Sequence, residues 1–172
     1  MSAETVLERR LRNEWQLLQQ LIARNPGRFY EASMMDADLT LRLHGPAAWC
    51  AQPNGHPCPI SIHALRISFP VHFPAVPMEL FLETPVRHPN IHPETGFVCV
   101  WDRHRVSNTV EHALHRLVAM LAGQLQNTSA PHLMQPDAVS LPAAGDARPL
   151  LGVEHAYDWL PEDTRPRKRR LQ

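Results

Sequence analysis

Apolar and polar residues follow two different periods along this chain. From about Glu4 to Arg24, apolar side chains recur at helical spacing, which predicts an amphipathic helix that ends at Asn25-Pro26-Gly27. Further along, short segments alternate between apolar and polar residues or are apolar throughout, and these predict four strands. The strands are Arg28–Ala32, Asp38–His44, His63–Phe69 and Met78–Glu83. Their order favours an antiparallel meander, with a long linker, Gly45–Ser61, between the second and third strands.

The later part of the chain predicts one more long helix and then an irregular segment. Asn108 and Glu111 have the spacing of a capping box at the start of this helix. Thr128–Arg148 is rich in Pro, Ala and Ser and predicts an irregular surface loop, and Leu150–Leu160 predicts a short closing helix. The apolar stripe of the long helix consists of Val110, Leu114, Leu117, Leu121 and Leu125.

This order of elements predicts an α+β fold in which the helices pack to one side and one end of an antiparallel sheet. At 172 residues the chain can bury a core without disulfides or metal, so we predict a single domain over residues 1–160. Residues 161–172 contain the run RPRKRR, which is typical of a flexible basic tail.

The composition excludes several classes of function. The 17 basic and 17 acidic residues balance, so bulk charge does not direct the protein to nucleic acid or to membranes. No apolar run is long enough to span a bilayer, and the polar start of the chain has no signal-peptide pattern. Three cysteines do not indicate a disulfide framework, and we expect a reducing cytoplasm.

Cys50 and Cys58, together with His56 and His63, raise the question of a zinc site. Structural zinc sites use closely spaced ligand pairs such as Cys-x-x-Cys, whereas seven residues separate these two cysteines. We therefore expect two reduced cysteines and no metal.

The third cysteine, Cys99, follows a loop whose residues suit acyl transfer. A lone cysteine can be a core residue, a metal ligand or a nucleophile. Here Asn90 and His88 lie nine and eleven residues upstream, on a loop that Pro89 and Pro93 stiffen. A carboxamide held on a rigid loop can donate a hydrogen bond to a developing oxyanion. This context favours the nucleophile.

Two motifs in this region resemble the signature of ubiquitin-conjugating enzymes. One is His88-Pro89-Asn90 followed by Gly96-x-x-Cys99, and the other is the turn Phe69-Pro-x-x-Phe73-Pro-x-x-Pro77. The order of elements is similar to that of the family over about residues 4–126. The resemblance implies the UBC-like fold: an N-terminal helix, a four-stranded antiparallel meander sheet, an active-site loop, and then a long helix packed on the sheet.

The resemblance also implies an activity. Cys99 would accept the C-terminal acyl group of a ubiquitin-like protein from an activating enzyme, hold it as a thioester, and pass it to an amine of a target protein, usually a lysine. Asn90 matches the asparagine that supports the oxyanion or the loop near it. His88 matches a histidine whose role is mainly structural. No cofactor is implied.

Two further roles are predicted for charged residues. Arg9 and Arg12 lie away from the apolar stripe of the first helix, where both a solvated face and a docking surface for the activating enzyme are open. In the family, an acidic or small polar residue near the thiol orients the incoming lysine. Asp137 and its rival Asp102 are the candidates here, and for both the alternative is a solvated loop acid.

The chain also departs from the family pattern. The loop from Asn90 to Cys99 is one residue longer, and Trp101 lies close to the thiol. The two C-terminal helices of eukaryotic members are not evident, and Lys168 is the only lysine. These departures predict a divergent member, such as one from a bacterial operon for ubiquitin-like conjugation.

Two other functions stay open. One is a non-catalytic binding module of the same fold, although the cysteine at the motif position argues against it. The other is a cysteine hydrolase built on Cys99, His88 and Asn90, because these residue types fit a Cys-His-Asn triad. The activating histidine of such hydrolases usually lies far from the cysteine in sequence, which argues against His88 in that role.

Overall fold

The structure is a computed structural model that describes residues 5–51, 57–141, 144 and 157–160. Within these residues, two helices and five strands form the domain. In chain order they are α1 (Val6–Arg24), β1 (Phe29–Met35), β2 (Asp38–Ala51), β3 (Pro57–Ser68), β4 (Glu79–Leu82), β5 (Phe97–Val98) and α2 (Val110–Leu121). Two short 3-10 helices follow, the first at Ala130–His132 and the second at Pro136–Ala138.

The strands form one antiparallel sheet in the order β1-β2-β3-β4-β5, so each strand pairs with its neighbour along the chain. The predicted α+β fold and antiparallel meander are therefore confirmed, with one strand more than the four predicted. The additional strand, β5, has two residues that pair with Leu80 and Phe81 of β4. Two residues are too few to show a two-residue period in a sequence, which is why this strand was not predicted.

The hairpin of β2 and β3 is longer than the sequence predicts. Much of the predicted linker Gly45–Ser61 is strand, because pairing resumes after an irregularity that follows His44. Cys50 lies opposite Cys58 in the resumed ladder. The turn-forming residues at the irregularity, Pro46 among them, hide the continuation of the strand from a pattern-based reading.

Helix α1 packs on the sheet and against α2 with a buried acidic residue in the contact. Glu14 is fully buried, and its Oε2 accepts a hydrogen bond from the backbone N–H of Val110 at 2.7 Å, at the start of α2. Arg10 Nε lies 2.7 Å from Glu14 Oε1 in an ion pair, and Arg10 also donates to the carbonyl of Asn108 at 2.9 Å. Burial raises the pKa of Glu14. Glu14 thus ties the two helices together.

The start of α2 differs by one residue from the prediction. The N-cap is Thr109, whose Oγ accepts from the N–H of His112, while His112 Nδ1 accepts from the N–H of Thr109 at 3.2 Å. The predicted capping box of Asn108 and Glu111 is therefore wrong. Glu111 turns inward instead, and its Oε1 accepts from the N–H of Leu160 at 2.7 Å. Glu111 therefore bonds to a residue far along the chain and does not cap α2.

The segment Tyr157–Leu160 closes the domain beside α1. Asp158 and Asn25 exchange two hydrogen bonds, of 2.7 and 3.1 Å, and the Tyr157 ring lies 5.5 Å from Phe29. Residues 157–160 are not helical, and the remainder of the predicted closing helix lies outside the described residues, as does the basic tail 161–172. Within the described ranges, neither α1 nor α2 is long and apolar enough to cross a lipid bilayer.

Candidate active site

The His88-Pro89-Asn90 loop is buried and internally bonded. His88 is only 5% exposed, and its Nδ1 accepts a hydrogen bond from the backbone N–H of Asn90 at 3.1 Å. Burial lowers the pKa of His88 to about 4, because the interior does not solvate an imidazolium. His88 is therefore a neutral residue whose Nδ1 bonds within the loop.

The depressed pKa makes His88 a source of pH-dependent stability. An unfolded histidine takes up a proton near pH 6.5, whereas His88 in the folded state stays neutral down to about pH 4. The unfolded state therefore binds more protons in this window, and the free energy of unfolding decreases as the pH falls through it. We expect His88 to contribute a decrease of about 3 kcal/mol between the two values.

His88→Asn is the variant that isolates this effect, because an asparagine can accept the same N–H two residues on but does not titrate. Urea unfolding at several pH values from 7 to 4 should give a flatter profile for the variant than for the parent protein. Burial also lowers the pKa of His63, which contributes a decrease of the same sign to both profiles and cancels in the comparison. Parallel profiles would contradict the assignment.

A glycine turn brings the cysteine next to this loop. Gly96 has a φ of +70°, its N–H donates to the carbonyl of His92 at 3.0 Å, and its carbonyl accepts from the N–H of Leu82 in β4 at 2.8 Å. The chain then runs through β5 to Cys99, whose N–H donates to the carbonyl of Asn90 at 2.9 Å. The Cys99 side chain is partly exposed. The backbone of Cys99 is thus fixed beside Asn90, and its side chain is not buried in the core.

Asn90 fastens a second loop over the cysteine. Its side chain is almost fully buried, and its amide Nδ2 donates to the carbonyls of Asn127 at 2.6 Å and His132 at 2.9 Å. Its Oδ1 accepts from the backbone N–H of Asn127 at 2.8 Å. Both amide hydrogens are therefore engaged by backbone, and they hold the segment after α2 against the active-site loop.

This second loop carries a histidine that lies against the thiol. His132 Nδ1 is 2.9 Å from Cys99 Sγ, within hydrogen-bonding distance. The two residues are 33 positions apart, and His132 falls in the irregular segment Thr128–Arg148, where no period or motif marks it. Sequence analysis therefore missed it. The only available signal was its residue type, which suits acid–base chemistry.

Two charged residues of opposite sign act on the thiol. Burial raises the pKa of Cys99, the charge of Asp102 raises it further, and the charge of Arg116 lowers it. Asp102 is itself held in place, because its carboxylate accepts from Asn127 Nδ2 at 2.8 Å and from Arg116 at 2.6 Å. These hydrogen bonds, that of Asn127 first, lower the pKa of Asp102, so this residue is a fixed carboxylate near the nucleophile.

The other candidate acid and the predicted docking residues have different surroundings. Asp137 is exposed in the second 3-10 helix and forms an ion pair with Arg87. Arg9 and Arg12 are exposed on α1. Arg10, by contrast, turns inward to the buried Glu14, because a buried carboxylate needs a partner. The outer face of α1 therefore presents two arginines of its N-terminal half and not the third.

No metal centre is apparent in the part of the chain that the structure describes. Cys50 and Cys58 are thiols that are not joined in a disulfide, and His63 is buried with Nε2 3.1 Å from the carbonyl of Pro46. Among the described residues, no three His, Cys, Asp or Glu side chains group as metal ligands. His56, the remaining zinc candidate, lies outside the described residues.

An open groove of about 520 Å³ begins at Trp101, two residues beyond the thiol. The residues that line it include Trp101, Asp102, Arg103, Arg105, His112 and Arg116. Its charged side chains are mostly basic.

A comparison with known families now bears on this geometry. A model of the family described as "Ubiquitin-conjugating enzyme" matches residues 10–138, which is more than half of the chain. The chain belongs to the ubiquitin-conjugating enzyme family. The matched range contains the loop, the glycine turn, the cysteine and His132. A comparison with curated protein sequences gives no significant match.

Solved structures of ubiquitin-conjugating enzymes share the fold. One from Trypanosoma cruzi has a TM-score of 0.59 and 17% sequence identity, and the alignment covers 81% of this chain and 90% of that one. Pex4p of H. polymorpha, solved in complex with the soluble domain of Pex22p, has a TM-score of 0.57 and 16% identity over 77% of this chain and 85% of that one. At such identities the likeness concerns the fold alone.

In this ubiquitin-conjugating enzyme family member, the fold brings some of the predicted site residues together. Cys99 and Asn90 are joined by a backbone hydrogen bond, and His88 supports Asn90 from the buried side. Of the two candidate acids, Asp102 acts electrostatically on the thiol, while Asp137 pairs with Arg87. The hydrolase triad predicted from the sequence does not fit, because the imidazole against the thiol belongs to His132.

Proposed function

We propose that this protein accepts a ubiquitin-like protein as a thioester on Cys99 from an activating enzyme and transfers it to an amine, usually a lysine, of a target protein. The supporting observation is the position of Cys99. Cys99 lies at the end of the family-matched loop and is partly exposed, and its backbone N–H donates to the Asn90 carbonyl at 2.9 Å. A bacterial operon for ubiquitin-like conjugation is the setting that we propose.

The transfer needs little beyond a positioned thiol. The sulfur attacks the carbonyl carbon of the thioester on the activating enzyme, and the activating enzyme's cysteine leaves as its thiolate. An acceptor amine then attacks the new thioester, and an amide replaces it. Both steps exchange one acyl bond for another, so no cofactor is required. Orientation supplies much of the rate, because the reacting groups are already held together.

Asn90 and an acid complete the proposed site. Asn90 keeps the cysteine loop and the 127–132 segment in register, and donation to the oxyanion, its second proposed role, would require release of one of its two carbonyl partners. Asp102 is the acid that we favour for orienting the acceptor amine, because its charge acts at the thiol. Asp137 remains a candidate, and it would have to exchange Arg87 for the acceptor.

Hydrolysis is the second candidate function, because the contact of 2.9 Å between Cys99 and His132 is one that cysteine hydrolases also use. The two functions differ in the fate of the thioester. A conjugating enzyme keeps it in buffer and releases it to an amine, whereas a hydrolase releases it to water. A binding module forms no thioester at all.

The experiment uses the activating enzyme and the ubiquitin-like protein encoded beside this gene, the latter recognised by its C-terminal diglycine. With ATP, we expect a covalent adduct that a thiol reductant reverses, that persists after ATP is removed, and that disappears with amide formation when free lysine is added. Loss of the adduct to water at the same rate without lysine would favour the hydrolase. Absence of any adduct would favour the binding module.

Arg9 and Arg12 are proposed to dock the activating enzyme. The double variant Arg9→Glu/Arg12→Glu should slow charging by about tenfold, because charges at the rim of an interface act mainly on association. Its unfolding midpoint should change little, since exposed substitutions usually alter stability by about ±0.5 kcal/mol. The control reverses two charges on the sheet, the exposed Arg42 and the half-buried Arg66, in the double variant Arg42→Glu/Arg66→Glu. Equal charging rates for the two double variants would refute the docking role.

A further inference from the structure

We infer that His132 is a catalytic residue of the proposed transfer: its Nδ1 accepts the proton of the Cys99 thiol when the sulfur attacks, and in discharge it passes a proton from the acceptor amine to the sulfur as the sulfur leaves. The inference rests on the proposed function. It starts from the 2.9 Å distance between Nδ1 and Sγ. An imidazole nitrogen at this distance from a nucleophile is placed to act as its general base.

The position of His132 is built into the fold. Its backbone carbonyl is bound by Asn90 Nδ2 at 2.9 Å, and its N–H donates to the carbonyl of Ser129 at 2.9 Å within the first 3-10 helix. Asn127, five residues earlier, is bound to the same Asn90 amide by two hydrogen bonds. The hydrogen bonds of Asn90, the asparagine of the family motif, thus hold the backbone that carries the imidazole beside the sulfur.

The thiol has a particular need for such a base. Burial and the charge of Asp102 raise the pKa of Cys99, so the free thiolate is scarce at neutral pH. Since the thiolate is the nucleophile, the protein must either wait for a rare ionised thiol or move the proton locally. Transfer to the adjacent Nδ1 makes the thiolate at the moment when it is needed.

The charged neighbours of this pair favour the separated charges. Arg116, from α2, interacts favourably with a thiolate, and Asp102, from the loop after β5, interacts favourably with an imidazolium at His132. Asn90, which is hydrogen-bonded to the backbone of both Cys99 and His132, is a neutral amide. The Arg116–Asp102 ion pair therefore offers one charge to each product of the proton transfer.

Each step balances with a single travelling proton. In charging, the S–H bond of Cys99 breaks, its proton moves to Nδ1, and the S–C bond forms. The cysteine of the activating enzyme leaves as its thiolate and takes the proton from Nδ1, so His132 is neutral again before discharge. In discharge, the acceptor amine attacks, its nitrogen gives a proton to Nδ1, the N–C bond forms, and the S–C bond breaks. His132 then returns the proton to Sγ, and nothing is oxidised or reduced.

Two variants separate a base from a mere hydrogen-bond partner. His132→Asn keeps a polar group near the position of Nδ1 but cannot take up a proton at neutral pH, and His132→Ala removes both properties. If His132 only holds the thiol in place, the asparagine variant should behave like the parent protein. If it is the base, Cys99 should react more slowly at neutral pH in both variants than in the parent protein. Urea unfolding of both variants checks that the domain is intact.

The first readout is the rate at which iodoacetamide alkylates Cys99 between pH 5 and pH 10, followed on the Cys99 peptide by mass spectrometry. In the parent protein we expect a plateau, because a proton that passes from Sγ to Nδ1 stays within the pair and the population of the thiolate–imidazolium form then does not depend on pH. In His132→Asn the rate should rise about tenfold per pH unit without a plateau, and should lie about 10²-fold below the parent at pH 7 and approach it above pH 9. Coincident pH profiles for parent and His132→Asn would overturn the inference.

The second readout tests transfer without the natural partners. A peptide thioester ending in Gly-Gly should acylate Cys99 with the same pH profile as iodoacetamide, and lysine should then discharge it. A parent protein that shows the alkylation plateau but is never acylated would refute the proposed function, while the alkylation profile still decides on proton transfer between the two residues. Acylation and discharge that proceed equally in parent and His132→Asn would refute the role of His132 and leave the proposed function standing.

Discussion

Cys99→Ala is expected to form no covalent adduct with the ubiquitin-like protein. Without the sulfur there is no nucleophile at the end of the His88-Pro89-Asn90 loop, so charging should fall to zero and not merely slow down. Cys99→Ser should form an adduct slowly, because a hydroxyl is a much weaker nucleophile than a thiol near neutral pH, and this oxyester should resist reducing thiols. Mass spectrometry of the intact proteins with and without reductant distinguishes the thioester of the parent protein, the oxyester of Cys99→Ser and the unmodified Cys99→Ala.

The other two cysteines provide the matched controls for this prediction. Cys50 and Cys58 are thiols on β2 and β3 that lie opposite each other in the hairpin and form no disulfide. Their alanine variants should charge like the parent protein. An adduct that persists in Cys99→Ala, or one that disappears in Cys50→Ala, would show that the nucleophile has been assigned to the wrong residue.

Gly96→Ala is expected to give the largest loss of stability among single substitutions near the site. At a φ of +70° an L-residue is strained by roughly 1–2 kcal/mol, and an added Cβ would overlap the carbonyl oxygen of Leu82, which belongs to the backbone of β4 and has little room to move. Overpacking of this kind adds about 1–3 kcal/mol. We therefore expect Gly96→Ala to destabilise the domain by about 2–5 kcal/mol.

Alanine variants of two other glycines distinguish backbone strain at positive φ from steric overlap of the added Cβ. Gly27 and Gly123 have φ values of +74° and +71°, close to that of Gly96, but an added Cβ at either position has no neighbour within 4 Å. Their alanine variants should lose only the strain, about 1–2 kcal/mol in urea unfolding. If Gly96→Ala is no less stable than Gly123→Ala, the close approach of the turn to β4 is not a constraint. Charging of any folded Gly96→Ala should also be slow, since the turn leads directly to Cys99.

Much of the fold could be predicted from the period of apolar residues. The helices and the strands of the meander bury faces that repeat at fixed spacing, so their patterns are visible in the sequence. Glu14 and Glu111 could not be predicted as buried residues, because the groups that satisfy them, the N–H groups of Val110 and Leu160, are far away along the chain. Irregular pairing after His44 likewise hid the extension of the hairpin.

In the candidate active site, too, residues within a local motif could be predicted and residues brought in by the tertiary fold could not. Cys99, Asn90 and His88 could be predicted because they lie in one short stretch with a motif, and the structure joins Cys99 to Asn90 by a backbone hydrogen bond. His132 could not, since it reaches the thiol only because Asn90 holds the segment after α2 over the cysteine. The choice between Asp102 and Asp137 was also open in the sequence, because their charged partners are set by the tertiary fold.

The central claim is that Cys99 holds the acyl group, and peptide mapping of the charged, unmutated protein tests it most directly. The protein is charged with its activating enzyme, ATP and the ubiquitin-like protein, quenched in acid, digested, and analysed by mass spectrometry without reductant. The account predicts that the diglycine remnant lies on the peptide that contains Cys99, and that a reductant removes it. A remnant on Cys50, Cys58 or Lys168 in a charged protein whose Cys99 remains free would contradict it.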